Sequence, residues 1–406
     1  MKIAVVTYGT EGDARPLAAL CRSLDEAGHA SVLLADASTL GAAQRLGVRS
    51  QALAGDMQGA LANVIALGDR PSAAMNALAA IANTHAAAWL RQTVDAAKGC
   101  NAIVCSGLAA FVGLSAAEAL RVPAIGAGMF PLTPTAEFAS PFLPPARVPR
   151  FLRRASHHFV NAMLWRAFRP AVNAARAEVC GLPARRAMWN THPMLYGVSP
   201  SLVPQPADWP DNAMVCGQWI PGAEESWRAP PALSEFLAAG EPPVYVGFGS
   251  MTGFDKDRLR AAVIEGVAGR RALLNPGWGG FDTQGLPSNF HVVGDTPHDW
   301  LFPRTALVVH HGGSGTSHSA ARAGVPSVVV PFAGDQFFWA HRLAEAGVAP
   351  TAVAASRLRA DDLARGIAFA GDAQVRARAQ ALGQRMRSED GLGQAVRAIE
   401  RSVATA

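Results

Sequence analysis

Val308-Val309-His310-His311-Gly312-Gly313-Ser314-Gly315-Thr316, continued by Ser317 to Arg322 and closed by Gly324-Val325-Pro326, is the stretch that decides the fold of this chain. An apolar run enters a glycine-rich turn, and the turn opens a helical stretch. That order brings backbone N–H groups and the positive end of a helix to one point, where a diphosphate is favoured. Gly312, Gly313 and Gly315 let the backbone approach phosphate oxygens, Ser314 and Thr316 add hydroxyl donors, and His311 adds an imidazole N–H. Taken alone, a short glycine run also reads as a plain joint between strand and helix.

Working outward, the same strand–turn–helix pattern recurs on both sides. Lys2 to Thr7 reads as a continuous apolar strand, and Pro16 to Ala27 places Leu17, Leu20, Cys21 and Leu24 on one helical face before the Gly28 stop. Strands at Ser31–Ala35, Ala102–Cys105 and Ala124–Gly128 predict a parallel sheet with helices on both faces. A second such pattern runs through Val244–Gly249, Ala272–Asn275, His291–Val293, Leu307–His310 and Ser327–Val330. The expected fold is therefore α/β, with two doubly wound Rossmann-like domains, since 406 residues exceed one ordinary core. The boundaries read as an N-terminal domain over 1–220, a linker over 221–235 and a second domain over 236–385. A terminal segment, 386–406, belongs to a final helix of about Gly371 to Val403 and is expected to pack back on the N-terminal domain.

Charge narrows the partners. The net charge is +5, yet nine arginines between Arg147 and Arg186 stand against Glu178 alone, so the rest of the chain is near neutral. A protein-wide nucleic-acid footprint is excluded, and one local basic feature remains. That segment also carries Phe151, Phe159, Trp165 and Phe168. It reads as a lid over an acceptor, as a peripheral membrane contact, or as an ordinary amphipathic helix over Phe151 to Phe168. Its His157 and His158 are expected to face solvent or the acceptor mouth. The Pro-rich loop Pro131 to Pro149 before it reads as a substrate loop.

Five cysteines, an odd number with no CxxC pair, predict reduced thiols. No His or Cys cluster at metal-ligand spacing occurs, and no Asp-x-Asp pair of the kind that holds a divalent ion on a diphosphate is read in the chain. The opening MKIAVVTYGT runs directly into a strand, so a cytoplasmic location is expected. His29 reads as structural. Trp278, between Gly277 and Gly279, reads as a cleft residue or a packing anchor.

Beyond the glycine turn, Phe332-Ala333-Gly334-Asp335-Gln336 follows the next strand. A carboxylate and a carboxamide suit a vicinal diol, so Asp335 and Gln336 are candidates for binding a sugar. A simple N-cap by Asp335 is the alternative.

Read together, VVHHGGSGTSHSAARAGVPSVVVPFAGDQFFWAHR and MKIAVVTYGTEGDARP resemble GT-B-fold glycosyltransferases, especially those acting on sterols and antibiotic aglycones. The resemblance implies two domains facing across a cleft, a nucleotide-sugar donor and a hydrophobic small-molecule acceptor. It implies that His311, Gly313, Ser314, Gly315 and Thr316 contact the donor diphosphate, with Ser250 on a second phosphate-side loop. Asp335 and Gln336 would contact the transferred sugar, and Thr296 and Pro297 of Asp295-Thr296-Pro297-His298 the nucleobase. Plant members of the wider superfamily hold the ribose with a Glu eight residues after the His, where this chain has Ser319. A UDP-sugar is the expected donor, glucose or a related hexose or xylose, with a dTDP-sugar as the alternative. No cofactor or metal is expected, the helix end taking over the electrostatic role.

Transfer to a hydroxyl needs a general base at the cleft. Asp13, in Thr10-Glu11-Gly12-Asp13 after the first strand, is the candidate, and the resemblance implies the same. Its local alternative is a cap on the helix beginning near Pro16, and Glu11 is the fallback base. Where plant relatives place a supporting acid this chain reads Cys105-Ser106-Gly107. Inverting transfer by direct displacement is the expected mechanism. An epimerase or a non-catalytic binding protein of the same fold is the competing reading.

Overall fold

The computed structural model describes residues 1–57, 59, 71–221, 227–249, 251, 254–277 and 282–405, with the backbone alone for 71–75 and 78. Ser250 and Trp278 lie outside the described residues, as do 222–226 of the expected linker.

Two parallel sheets organise the chain. The first holds β1 (Lys2–Val6), β2 (Ala30–Asp36), β3 (Ser50–Leu53), β4 (Ala102–Cys105), β5 (Ala124–Gly128), β6 (Met194–Tyr196) and β7 (Ala213–Val215), in the order β3-β2-β1-β4-β5-β6-β7. The second holds β8 (Val244–Gly247), β9 (Ala272–Asn275), β10 (Phe290–Val292), β11 (Leu307–His310) and β12 (Ser327–Val329), in the order β10-β9-β8-β11-β12. Ile3, Ala4, Val5 and Val6 are all buried, because helices cover both faces of β1 and an alternating pattern would bury polar groups. In each sheet the strand order reverses beside the first strand, between β1 and β4 and between β8 and β11. Ligands of doubly wound sheets bind at the carboxyl ends of such strands. Asp13 stands in the first turn of the helix that follows β1, and His311 in the turn that follows β11.

Several expectations are corrected. The first helix spans Glu11–Glu26 and contains Pro16, because Thr10 and Asp13 form a capping box upstream of the proline. The long helix runs over Arg153–Cys180 with Pro170 inside it, well past Phe168. His157 does not face solvent: it is fully buried and its Nε2 lies 3.1 Å from the Phe138 carbonyl. The final helix divides into Ala373–Arg387 and Gly391–Ala404, the second started by Asp390, which accepts from the Gly393 N–H.

The two sheets share apolar contacts. Tyr196, Val198, Leu202 and Trp209 from the first side form one buried cluster with Val329, Phe338, Trp339 and Leu343 from the second. The helix Gly391–Ala404 inserts Val396 and Ile399 into the core beneath the first sheet, beside Leu17, Leu20 and Leu24. Gly391 sits so close to Gly217 that a Cβ on it would strike backbone. Among the described residues no helix is long and apolar enough to cross a membrane.

Candidate active site

A continuous cleft of about 3110 Å³ runs between the carboxyl edges of the two sheets. Asp13, His311, Ser314, Gly315, Thr316, Asp335 and Gln336 all line it.

On the side of the second sheet, β11 delivers His311 to the turn and the helix Ser314–Ala323 starts at once. Gly312 sits at φ +89°, a left-handed conformation that glycine adopts without strain. A Cβ at Gly313 would fall on the His311 imidazole, whereas a Cβ at Gly315 would meet nothing within 4 Å. A side chain at position 313 would thus displace the His311 ring, whereas Gly315 leaves open space at the helix end. That end has no side-chain cap and no acidic residue in its first turn. Burial lowers the His311 pKa to about 4, so the ring is neutral, and its Nδ1 has no hydrogen-bond partner within the protein.

The expected donor groups are not all free. The Ser314 hydroxyl donates to the Met129 carbonyl across the cleft at 2.8 Å, which leaves its backbone N–H for a ligand. Gln336 accepts the Phe332 and Ala333 N–H groups at 2.7 and 3.2 Å, so its oxygen braces the turn before its own helix. Its amide nitrogen lies 3.2 Å from the Met251 sulfur. Asp335 stands at the N-cap of the helix Gln336–Glu345 but makes no side-chain cap bond. It accepts instead from the Trp339 indole N–H at 2.8 Å. Burial, with the charge of Asp13 adding to it, pushes the Asp335 carboxyl up to about 6, against the Trp339 hydrogen bond. Thr296 is buried and donates its hydroxyl to the Gly294 carbonyl at 3.3 Å, while Pro297 and His298 reach the cleft wall.

On the first sheet's side, Asp13 accepts the Thr10 N–H at 2.8 Å and the Thr10 hydroxyl at 3.3 Å, both on Oδ2. Burial raises its pKa above the ordinary value and the Thr10 bonds oppose this. A Cβ on Gly9, three places after β1, would fall inside the Asp13 carboxylate and displace it. Glu11 is drawn toward Arg15 at 3.6 Å, and Arg15 reaches Asp295 of the other sheet at 3.9 Å. Beyond Asp13 the wall turns apolar, with Phe111, Leu114, Trp165, Phe168 and Trp189. Trp165 belongs to the long Arg-rich helix and stacks edge-on to Trp189 at 5.7 Å.

Sequence reasoning missed Gly9, Trp339 and the Met129 carbonyl. A capping-box spacing from Thr10 to Asp13 was available as a signal; the Met129 contact spans 185 residues and left none.

Known proteins bear on this geometry in three ways. The family described as erythromycin biosynthesis protein CIII-like, C-terminal domain, matches residues 278–399. A sterol 3-beta-glucosyltransferase of Arabidopsis thaliana is 32% identical over 421 residues, covering 99% of this chain and 68% of the plant protein. A sterol 3-beta-glucosyltransferase of Emericella nidulans is 31% identical over 99% of this chain, which spans only 30% of the fungal protein. Among solved structures, the glycosyltransferase VinC in complex with dTDP superposes with a TM-score of 0.70 at 19% identity, each chain covered in full. SnogD from Streptomyces nogalater gives 0.64 at 21% identity over 100% of this chain and 99% of its own. At such identity these two establish the fold. Two parallel sheets facing one cleft, and full-length likeness to the plant enzyme, place the chain among the GT-B-fold glycosyltransferases, in the sterol 3-beta-glucosyltransferase family.

Proposed function

We propose that this protein transfers a sugar from a UDP-sugar, glucose first, to the hydroxyl of a sterol-like hydrophobic acceptor, with inversion at the anomeric carbon. The observation that carries this is the pairing of Asp13 and Asp335 from opposite domains on one cleft, beside an uncapped helix end. The acceptor hydroxyl attacks the anomeric carbon while Asp13 takes its proton, and the bond from that carbon to the diphosphate breaks. A raised carboxyl pKa makes Asp13 a stronger proton acceptor, and the Thr10 donors favour its ionised form. The departing diphosphate gains its charge opposite the N–H groups of residues 313–316 and the helix dipole. His311 adds one donor from its neutral ring, and Asp335 accepts from the sugar hydroxyls through the oxygen not held by Trp339.

The apolar wall from Phe111 to Trp189 suits a flat, water-poor acceptor. Where the helix Arg153–Cys180 begins, Phe151 in the short turn before it is 84% exposed and Phe159 on the helix 60%, with Arg150 and Arg166 also exposed. We read that exposed surface as a peripheral contact with an anionic membrane that supplies a lipid-like acceptor.

Purified protein is to be incubated with UDP-glucose, UDP-xylose or dTDP-glucose and a panel of sterols and phenols, with nucleoside diphosphate release as readout. UDP release that requires both UDP-glucose and a sterol is expected. Release from dTDP-glucose alone would move the donor assignment, and release with phenols but no sterol would move the acceptor.

A further inference from the structure

A chain of contacts leads from the donor helix into the opposite domain. His318 stands one turn after Ser314 on the same helix and is 1% exposed. Its Nδ1 lies 2.8 Å from the Ser314 carbonyl, and its Nε2 lies 3.0 Å from the Ser199 backbone nitrogen. A backbone N–H can only donate, so Nε2 is the acceptor and the ring proton sits on Nδ1. Burial lowers the His318 pKa to about 4, which preserves this tautomer at neutral pH. Ser199 is held from the other side as well, its hydroxyl donating to Glu389 at 2.7 Å. The His318 ring meets Trp339 edge-on at 4.8 Å, and Trp339 is the residue whose indole N–H holds Asp335.

We propose that His318 is a positioning residue, registering the donor helix and, through Trp339, the Asp335 carboxylate against the acceptor-domain segment at Ser199. A buried histidine bonded through both nitrogens is commonly a satisfied core residue. What sets His318 apart is the pair of bodies it joins: Ser199 follows β6 of the first sheet, and Ser314 follows β11 of the second. The reacting groups are divided in the same way, with the base Asp13 on one body and the sugar ligand Asp335 on the other. A slip of about 1 Å between such groups can cost on the order of 100-fold in rate. The expected UDP contacts all belong to the second body, so UDP affinity should not depend on the register. The inference rests on the transfer reading above.

Three variants test it: His318→Leu, His318→Gln and Ser314→Ala. Three measurements are made on each: calorimetric UDP affinity, kcat against KM, and hydrogen exchange of the segment around Ser199. His318→Leu is expected to lower kcat by about tenfold to 100-fold with UDP affinity unchanged. His318→Gln, whose amide oxygen can take the Ser199 N–H, recovers most of that loss. Ser314→Ala lowers kcat less and leaves UDP affinity unchanged, because its hydroxyl is committed to Met129; it carries the test should His318→Leu fail to fold. Exchange at Ser199 accelerates in the Leu variant and not in the Gln variant.

UDP affinity falling in step with kcat would overturn the proposal, since His318 would then build the donor site itself. Equal kcat in all variants, or equal loss in Leu and Gln, would overturn it too. Absence of transfer by the unaltered protein would sink the transfer reading instead. In that case, exchange protection lost in Leu and kept in Gln would sustain the register contact, and equal exchange in both would end it.

Discussion

The helices Glu11–Glu26 and Ser314–Ala323 occupy equivalent places, each starting after a strand beside the switch point of its own sheet, yet their ends are finished in opposite ways. The first is closed by a capping box, with Thr10 and Asp13 satisfying each other's backbone donors and Glu11 adding a second acid. The second begins at Gly313 with no side-chain cap and no acid in the first turn. A helix end offers about half a positive charge and unpaired N–H groups. One domain answers that charge with its own carboxylate, the proposed base, at the cleft. The other leaves it for an anionic ligand.

The comparison breaks most severely at the base. Asp13→Asn keeps an acceptor for the Thr10 N–H and removes the charge, so kcat should fall by about 100-fold to 10,000-fold while UDP affinity holds. Equal loss of UDP affinity would mean that Asp13 serves the donor. The next test makes the two ends alike. Gly315→Asp fits sterically, because a Cβ there meets nothing within 4 Å. The added carboxylate should stabilise the helix and weaken UDP binding by about tenfold, and an unchanged Kd would place the diphosphate elsewhere.

Gly9→Ala sharpens the comparison from inside the capped end. Its methyl group would displace the Asp13 carboxylate, so kcat should drop by about tenfold with UDP affinity intact. The smallest effect belongs to Thr10→Ala, which removes a cap worth about 0.5–2 kcal/mol and one donor to Asp13. The Thr10 hydroxyl bond lowers the Asp13 pKa, so its loss raises that pKa while the backbone N–H bond stays, and a base must be ionised to act. The acid limb of the kcat/KM profile should therefore move to higher pH. A shift to lower pH would show that another group sets that limb.

The uncapped end was legible because glycine, serine and histidine there sit in one short run whose geometry follows from the strand before it. Asp13 was legible as a residue, but Pro16 suggested a later helix start than the capping box permits. β3, β6 and β7 were not foreseen: the last two have three residues each and lie among prolines and glycines, so neither period nor length marked them. What no reading along the chain could supply was the second partner of each polar group. The sequence marks the Ser314 hydroxyl as a phosphate donor, and that hydroxyl is bound to Met129; it marks Gln336 as a sugar ligand, and its oxygen holds its own turn. Both partnerships depend on tertiary placement.

The helix Gly391–Ala404 also has a bearing on how the molecule is made. Val396 and Ile399 complete the core under β1, and Glu400 reaches His29 at 2.9 Å. Synthesis from the N-terminus therefore delivers the first sheet with one wall of its core still absent, and that wall arrives only after the whole second domain has emerged. The half built on the first sheet is translated first yet completes its core last, with a helix from the far end of the chain.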